Sequence, residues 1–284
     1  MKAEQATAPH ADHGEGPVWD EQADALRWVD MLAGDLLTLR GDDSVSRQHV
    51  GAVLACVRPR QVGGLVLALE RGFALLDADQ HRPQQLPELW TDPSVRMNDG
   101  ACDPQGRFYC GSMDYRGTPG RGRLHRLDPD GTADVVLDDV TVSNGLAWSP
   151  DGATAYYIDS ACQSVDAFTF DSGAGTLGSR RSVVQVDRES GTPDGMTVDA
   201  EGGLWVALWG AGAVHRYTPD GHLDAVLQVP VRTVTACAFG GPALGQLYIT
   251  TSRHGPASDV APAAGALFRA VPGVTGLPSI PFKG

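Results

Sequence analysis

Basic charge is scarce in this 284-residue chain: 22 Lys and Arg stand against 35 Asp and Glu, a formal net charge of −13 at pH 7. No basic run offsets that balance, which argues against nucleic acid or an anionic membrane surface as a partner. Long apolar runs are missing as well. No stretch approaches 18 uninterrupted apolar residues, and Met1 to Thr7 contains no apolar core of signal-peptide length, so a soluble, cytoplasmic protein is expected. The five cysteines (Cys56, Cys102, Cys110, Cys162, Cys237) are odd in number, far apart and never in a C-x-x-C pair. Neither a disulfide framework nor a zinc knuckle is indicated, and buried free thiols are expected. Neither G-x-S-x-G nor H-E-x-x-H occurs, which removes the serine-esterase and zincin readings. Of the scattered histidines, His125 and His215 read as structural and His254 as at most a rim residue.

Turn formers, by contrast, abound. The chain holds 35 Gly and 19 Pro, close to a fifth of its residues, against roughly 12% in ordinary usage, which excludes a helical bundle or coiled coil. Length alone allows one or two domains. At 29.9 kDa, a single folded body buries roughly 70–75% of its unfolded surface, so any metal is free to serve chemistry instead of folding.

One phrase recurs along the chain: a short apolar segment, a turn with Asp or Pro and Gly, then an aromatic-rich strand. Asp103-Pro-Gln-Gly106 precedes Phe108-Tyr109, Ser149-Pro-Asp-Gly152 precedes Tyr156-Tyr157, and Asp199-Ala-Glu-Gly202 precedes Leu204-Trp205. Looser copies stand at Asp20 to Ala23, Gly63-Gly64 and Gly241 to Gly245. The anchors Trp28, Val66, Tyr109, Tyr156, Trp205 and Tyr248 lie 38, 43, 47, 49 and 43 residues apart, which makes six units. Each unit begins as a hairpin and continues with further strand candidates, such as Leu124 to Leu127 and Val214 to Tyr217. Four strands per unit predict an all-β fold: one six-bladed β-propeller over residues 1–284, with antiparallel blades around a central channel. The segment Gly173 to Gly178 satisfies G-x-G-x-x-G but lies between two strand-like runs, so it reads as a hairpin loop and not as a dinucleotide fingerprint.

Counting five residues back from the first residue of each turn gives Glu15, Asn98, Asn144 and Asp194. All four carry a side-chain oxygen. Residues at one phase of a propeller's first strands project to one level of the channel and can converge. The other two blades offer Ala55 and a position near Thr235. Glu15, Asn144 and Asp194 are each followed by Gly, which permits a close backbone approach. Two carboxylates and one or two carboxamide oxygens, with no His or Cys, make a hard-oxygen set suited to a divalent cation, which would also relieve repulsion between Glu15 and Asp194.

The segments Gly14-Glu-Gly-Pro-Val-Trp19, Arg96-Met-Asn-Asp-Gly100, Ser143-Asn-Gly-Leu146 and Pro193-Asp-Gly-Met196 resemble the metal-site motifs of the SMP-30/gluconolactonase/regucalcin-like family. The likeness runs nearly end to end. It implies a six-bladed propeller that binds one divalent ion and opens a sugar-derived, gluconolactone-like lactone to its aldonic acid. Calcium is the first candidate for the ion, with zinc, manganese, magnesium or iron as alternatives. The resemblance makes Glu15, Asn144 and Asp194 the metal ligands, Asn98 a substrate contact near the metal and Arg96 a substrate binder. Arg116 stands where some members place a substrate-contacting acid, and the loop from Asp114 to Arg123 and His13 also depart from the pattern. The expected mechanism has the metal polarise the carbonyl while a nearby water attacks, with Asp194 as base and Asp99 as the next candidate. Two rivals remain: another esterase or phosphotriesterase chemistry at the same site, and a non-catalytic calcium-binding protein. No obligatory protein partner is evident.

Overall fold

The computed structural model describes residues 1–255 and 260–284, and those residues form six four-stranded antiparallel sheets. The sheets are blades I to VI of a propeller. Their inner strands are Gly14–Asp20, Leu54–Pro59, Val95–Cys102, Ser143–Trp148, Thr192–Val198 and Val234–Gly240. Blades I to V each use four consecutive strands. Blade VI takes three from the C-terminal part of the chain, and Glu4–Gln5 from the N-terminus completes it through the register Glu4↔Arg269 and Gln5↔Phe268. Sequence reading did not anticipate that closure.

The recurring turns have a common physical basis. In blade III the Gly106 N–H donates to the Asp103 carbonyl, and Gly106 takes a φ of +80°, which glycine adopts without steric cost. The Asp103 carboxylate also accepts the N–H groups of Gln105 and Arg107, while its other oxygen pairs with the Arg107 guanidinium at 2.6 Å. Asp199 does the same for Glu201, Gly203 and Arg216 in blade V. The leading Asp of the repeat therefore ties the turn into a buried ion pair. The second-strand anchors Trp28, Val66, Tyr109, Tyr156, Trp205 and Tyr248 are all buried between blades.

The Gly173–Gly175 segment joins the strands Ser164–Asp171 and Thr176–Gln185 as a hairpin loop, with no helix. Cys56, Cys102, Cys110 and Cys237 are buried free thiols, but Cys162 is exposed. It sits on a short 3-10 turn between two strands of blade IV, where a solvent-facing position carries no apolar signature. No helix of the described residues is long and apolar enough to cross a membrane.

Candidate functional site

A β-bulge interrupts the inner strand of every blade near one phase, one residue later in blade I than in blades III to V. Pairing slips by one residue between Glu15 and Val18, Leu54 and Cys56, Met97 and Gly100, Ser143 and Leu146, Pro193 and Met196, and Val234 and Ala236. A bulge bends the strand locally and re-aims the extra side chain. Ala55, Asn98, Asn144, Asp194 and Thr235 sit inside these bulges, and Glu15, paired with Val29, is the last paired residue before the bulge of blade I.

The glycines beside the bulges let neighbouring inner strands approach. A Cβ on Gly145 would lie 2.9 Å from the Asp194 carbonyl, and one on Gly195 only 2.5 Å from the Ala236 Cβ. Close approach of the next blade's backbone is what those glycines permit.

Asn98 Nδ2 donates to the Ser143 carbonyl (2.7 Å) and to Asn144 Oδ1 (2.9 Å), while Asn144 Nδ2 donates to Ser160 Oγ (2.7 Å). Both carboxamide orientations are fixed by these partners. Arg96 Nη1 donates to Asn98 Oδ1 at 2.6 Å and to the Met97 carbonyl at 2.9 Å. Arg96 Nε, by contrast, is buried with no hydrogen-bond partner among the described residues.

Glu15 and Asp194 face one another electrostatically. Burial, then Asp99, pushes the Glu15 carboxyl up to about 8. Asp194 is raised well above its ordinary value by burial first, then by Glu15 and Asp99, with Arg96 pulling the other way. At the mouth, His13 Nδ1 pairs with Ser252 Oγ at 2.8 Å, and its Nε2 lies 3.9 Å from Glu15. Burial, Arg96 and His254 hold His13 neutral, its pKa lowered to about 3. His254 does lie at this rim, its ring 5.2 Å from that of His13.

The structure therefore brings Glu15, Arg96, Asn98, Asn144 and Asp194 together at one end of the channel. Asp99 joins them electrostatically, but its side chain borders a chamber further along the channel. Arg116 stands apart: its side chain is exposed, and its backbone N–H donates to Asp114. The residue over Arg96 is Tyr115, with the guanidinium 5.6 Å from the ring centroid and the Tyr115 hydroxyl donating to Glu70 at 2.7 Å. Sequence reasoning passed over Tyr115, and its aromatic character one residue before Arg116 was the available signal. Ser160, which anchors both Asn144 and the Pro193 carbonyl, was given no role, because a lone serine at a strand end carries no chemical signature of its own.

The pattern that defines the SMP-30/Gluconolactonase/LRE-like region matches residues 13–253. The chain belongs to that family. It is 36% identical to regucalcin of Danio rerio over 279 residues, covering 95% of each chain. Among solved structures, a luciferin-regenerating enzyme superposes with a TM-score of 0.93 at 27% identity, over 99% of each chain. A calcium-binding protein, regucalcin, from Agrobacterium tumefaciens gives 0.92 at 26%, over 100% of this chain and 97% of that one.

Donor chemistry decides whether the family's implied ion suits these residues. Among the described residues, no three His, Cys, Asp or Glu side chains gather as a metal cluster. What gathers is two buried carboxyls plus a carboxamide oxygen, an all-oxygen set of the kind hard cations take. Two buried like charges raise each other's proton affinity, and a divalent cation is the partner that would reverse this. The residues fit such an ion.

Proposed function

We propose that this protein is a divalent-metal-dependent hydrolase that opens a sugar-derived lactone to its aldonic acid. The reading is carried by the coupled, buried pair Glu15 and Asp194 beside the fixed amide of Asn144, with Arg96 and Asn98 alongside, in a chain of this family. A divalent cation held by Glu15, Asn144 and Asp194 would supply Lewis acidity to the lactone carbonyl and stabilise the oxyanion formed on attack. Calcium is our first assignment, in line with the description of the Agrobacterium relative.

The chain's own residues then divide the work. Asp194 accepts a proton from the attacking water, and Asp99 is the second candidate for that role. Collapse of the tetrahedral intermediate breaks the ring C–O bond, and the proton passes to the departing ring oxygen. Asn98 and Arg96 hold substrate hydroxyls. Arg96 Nε, buried and without an acceptor, also gives the product carboxylate a donor once substrate displaces Tyr115. Arg116, exposed on the loop, is assigned the solvent-side part of the substrate. Ser160 accepts from Asn144 Nδ2, which leaves Oδ1, the acceptor from Asn98, as the Asn144 atom that would coordinate the ion.

The test is a lactone panel run at controlled pH on metal-stripped protein, refilled separately with Ca, Mg, Mn, Zn or Fe. Turnover that vanishes on stripping and returns with one ion supports the proposal. Full activity with an analytically empty site overturns it. Tight calcium binding with no turnover of any lactone would favour the non-catalytic calcium-binding reading, which the Agrobacterium relative's description also supports.

A further inference from the structure

Three residues beyond each bulge position, the six inner strands present Val18, Arg58, Ala101, Ala147, Thr197 and Ala238 at a second common phase. All six line one chamber of about 420 Å³. A strand rises roughly 3.3 Å per residue, so this ring lies roughly 10 Å from the level of Glu15 and Asp194, toward the opposite end of the channel. Five members of the ring are small or medium neutral side chains, and their size leaves the space. The sixth is a guanidinium.

The far side of the chamber is roofed by the C-terminal tail. Ala200 and Leu244 hold the backbone at Thr275 and Gly276 on the blade V–VI side. Phe282 exchanges backbone hydrogen bonds with Pro59 and Gln61 of blade II, and Lys283 donates to Gly106 of blade III. Between these moorings Leu277 and Ile280 contribute apolar walls, and Ser279 Oγ donates to the Trp19 carbonyl at 2.7 Å. Trp148, Met196 and Phe239 extend the apolar lining.

Two charged groups break this lining. Arg58 donates to the carbonyls of Gly16, Val57 and Gly100, which engages three of its five N–H groups. Among the described residues Asp99 accepts only the Gly100 N–H, at 2.7 Å, and it acts on Arg58 as a charge through space and not as a hydrogen-bond partner. Unspent donors and an unspent acceptor of opposite charge thus face one apolar space. An anion would satisfy Arg58 but repel Asp99, and a cation would do the reverse. A neutral group with an acceptor beside a donor satisfies both, and buried polar groups are costly when left unpaired.

We propose that this chamber is a second binding site, for a neutral, largely apolar small molecule with a carboxamide at one end. Its carbonyl oxygen accepts from Arg58 and its N–H donates to Asp99. The volume lies in the range of small-molecule pockets, which are typically mostly apolar with a few convergent polar groups. The metal does not enter this assignment, and Asp99, the second candidate for the proton acceptor of the lactone reaction, is the one residue the two sites share.

The probe is 3-phenylpropanamide, titrated into the full chain by saturation-transfer NMR beside two charged analogues of the same shape, 3-phenylpropanoate and 3-phenylpropylammonium. The amide is expected to bind at least about ten-fold more tightly than either ion, the ratio that ~1.4 kcal/mol supplies. Ala238→Phe fills the chamber from a wall and should abolish binding, and Ala147→Leu does the same should the first variant fold poorly. Arg58→Met should weaken the amide by about ten-fold or more. A hydroxylated lactone in excess should not displace the probe. Four outcomes overturn the proposal: no binding of the amide, preference for either ion, binding that survives both filling variants, or displacement of the probe by the lactone. Each is read without reference to turnover, so lactonase activity can stand or fall separately.

Discussion

Two carboxyls at one phase of a repeat differ in what their loss should do. Asp194→Asn keeps size and one oxygen for coordination but removes both a negative charge and the capacity to accept a proton. Glu15→Gln removes the same charge from the other partner of the coupled pair. If Asp194 is the base, its variant should stay roughly 10²–10⁴-fold slow at saturating metal, while Glu15→Gln is rescued further by excess metal. Rescue of both to near wild-type rates would transfer the proton-accepting role to Asp99. A second residue-scale expectation concerns His125, buried on blade III with its ring 5.2 Å from that of Trp90 and its Nε2 unpartnered. Burial, then Arg123, lowers its pKa to about 4. The unfolded chain therefore binds this proton near pH 6.5 and the folded chain only near 4, so the stabilising contribution is complete above pH 6.5 and is lost as pH falls toward 4. The loss amounts to ~3 kcal/mol. His125→Phe keeps an aromatic ring against Trp90 and should flatten the slope of Tm against pH between 4 and 6.5; an unchanged slope would show that His125 does not carry it.

At the scale of the strand, the bulge is what turns a repeat into a site. Its presence could not be read from residue types, because a one-residue slip in pairing leaves no compositional mark when the flanking segments are already β-formers. The Gly after Glu15, Asn144 and Asp194 was visible but its reason was not: Gly145 and Gly195 abut the neighbouring inner strand, whereas Gly16 has only ordinary contacts and takes a φ of +53°. Gly195→Ala should therefore push blades V and VI apart at Asp194, costing roughly 1–3 kcal/mol as an overpacked contact and lowering metal affinity with it. Gly245, where an added Cβ would meet no described atom within 4 Å, is the control, and Gly245→Ala should leave both quantities unchanged. Equal Tm and metal affinity in the two variants would mean that the inner strands have slack at this level. Arg116 illustrates the opposite limit. A loop residue's number along the chain says little about where its side chain goes, and the aromatic neighbour Tyr115 took the position over Arg96.

Across the whole molecule, the blade count and strand allotment were legible because six buried anchors repeat at steady spacing, each signalled by an aromatic or β-branched residue. Closure was not legible, since Glu4 and Gln5 are exposed and carry no apolar alternation, and they pair with blade VI through the backbone, with only the small side chains of Ala3 and Ala6 packing beside them. The C-terminal tail was equally silent, and the structure shows its buried side chain to be Phe282. That side chain is 1% exposed and packs into the core between blades II and III, so it fastens the strap that crosses the channel end. Phe282→Ala should cost ~3–5 kcal/mol through lost transfer energy and the cavity left behind, which for a chain of this size corresponds to a fall in Tm of roughly 6–20 °C. The same substitution should loosen the tail from Pro59 and Gln61, so the amide protons of Gln61 and Phe282 should exchange faster, while those of the inner strands around Glu15 and Asp194 keep their protection. Calorimetry and hydrogen exchange read the two consequences independently. A drop in Tm with unaltered exchange in the tail would mean that Phe282 stabilises the core without holding the strap, and the Lys283 to Gly106 hydrogen bond would then be the mooring to remove next.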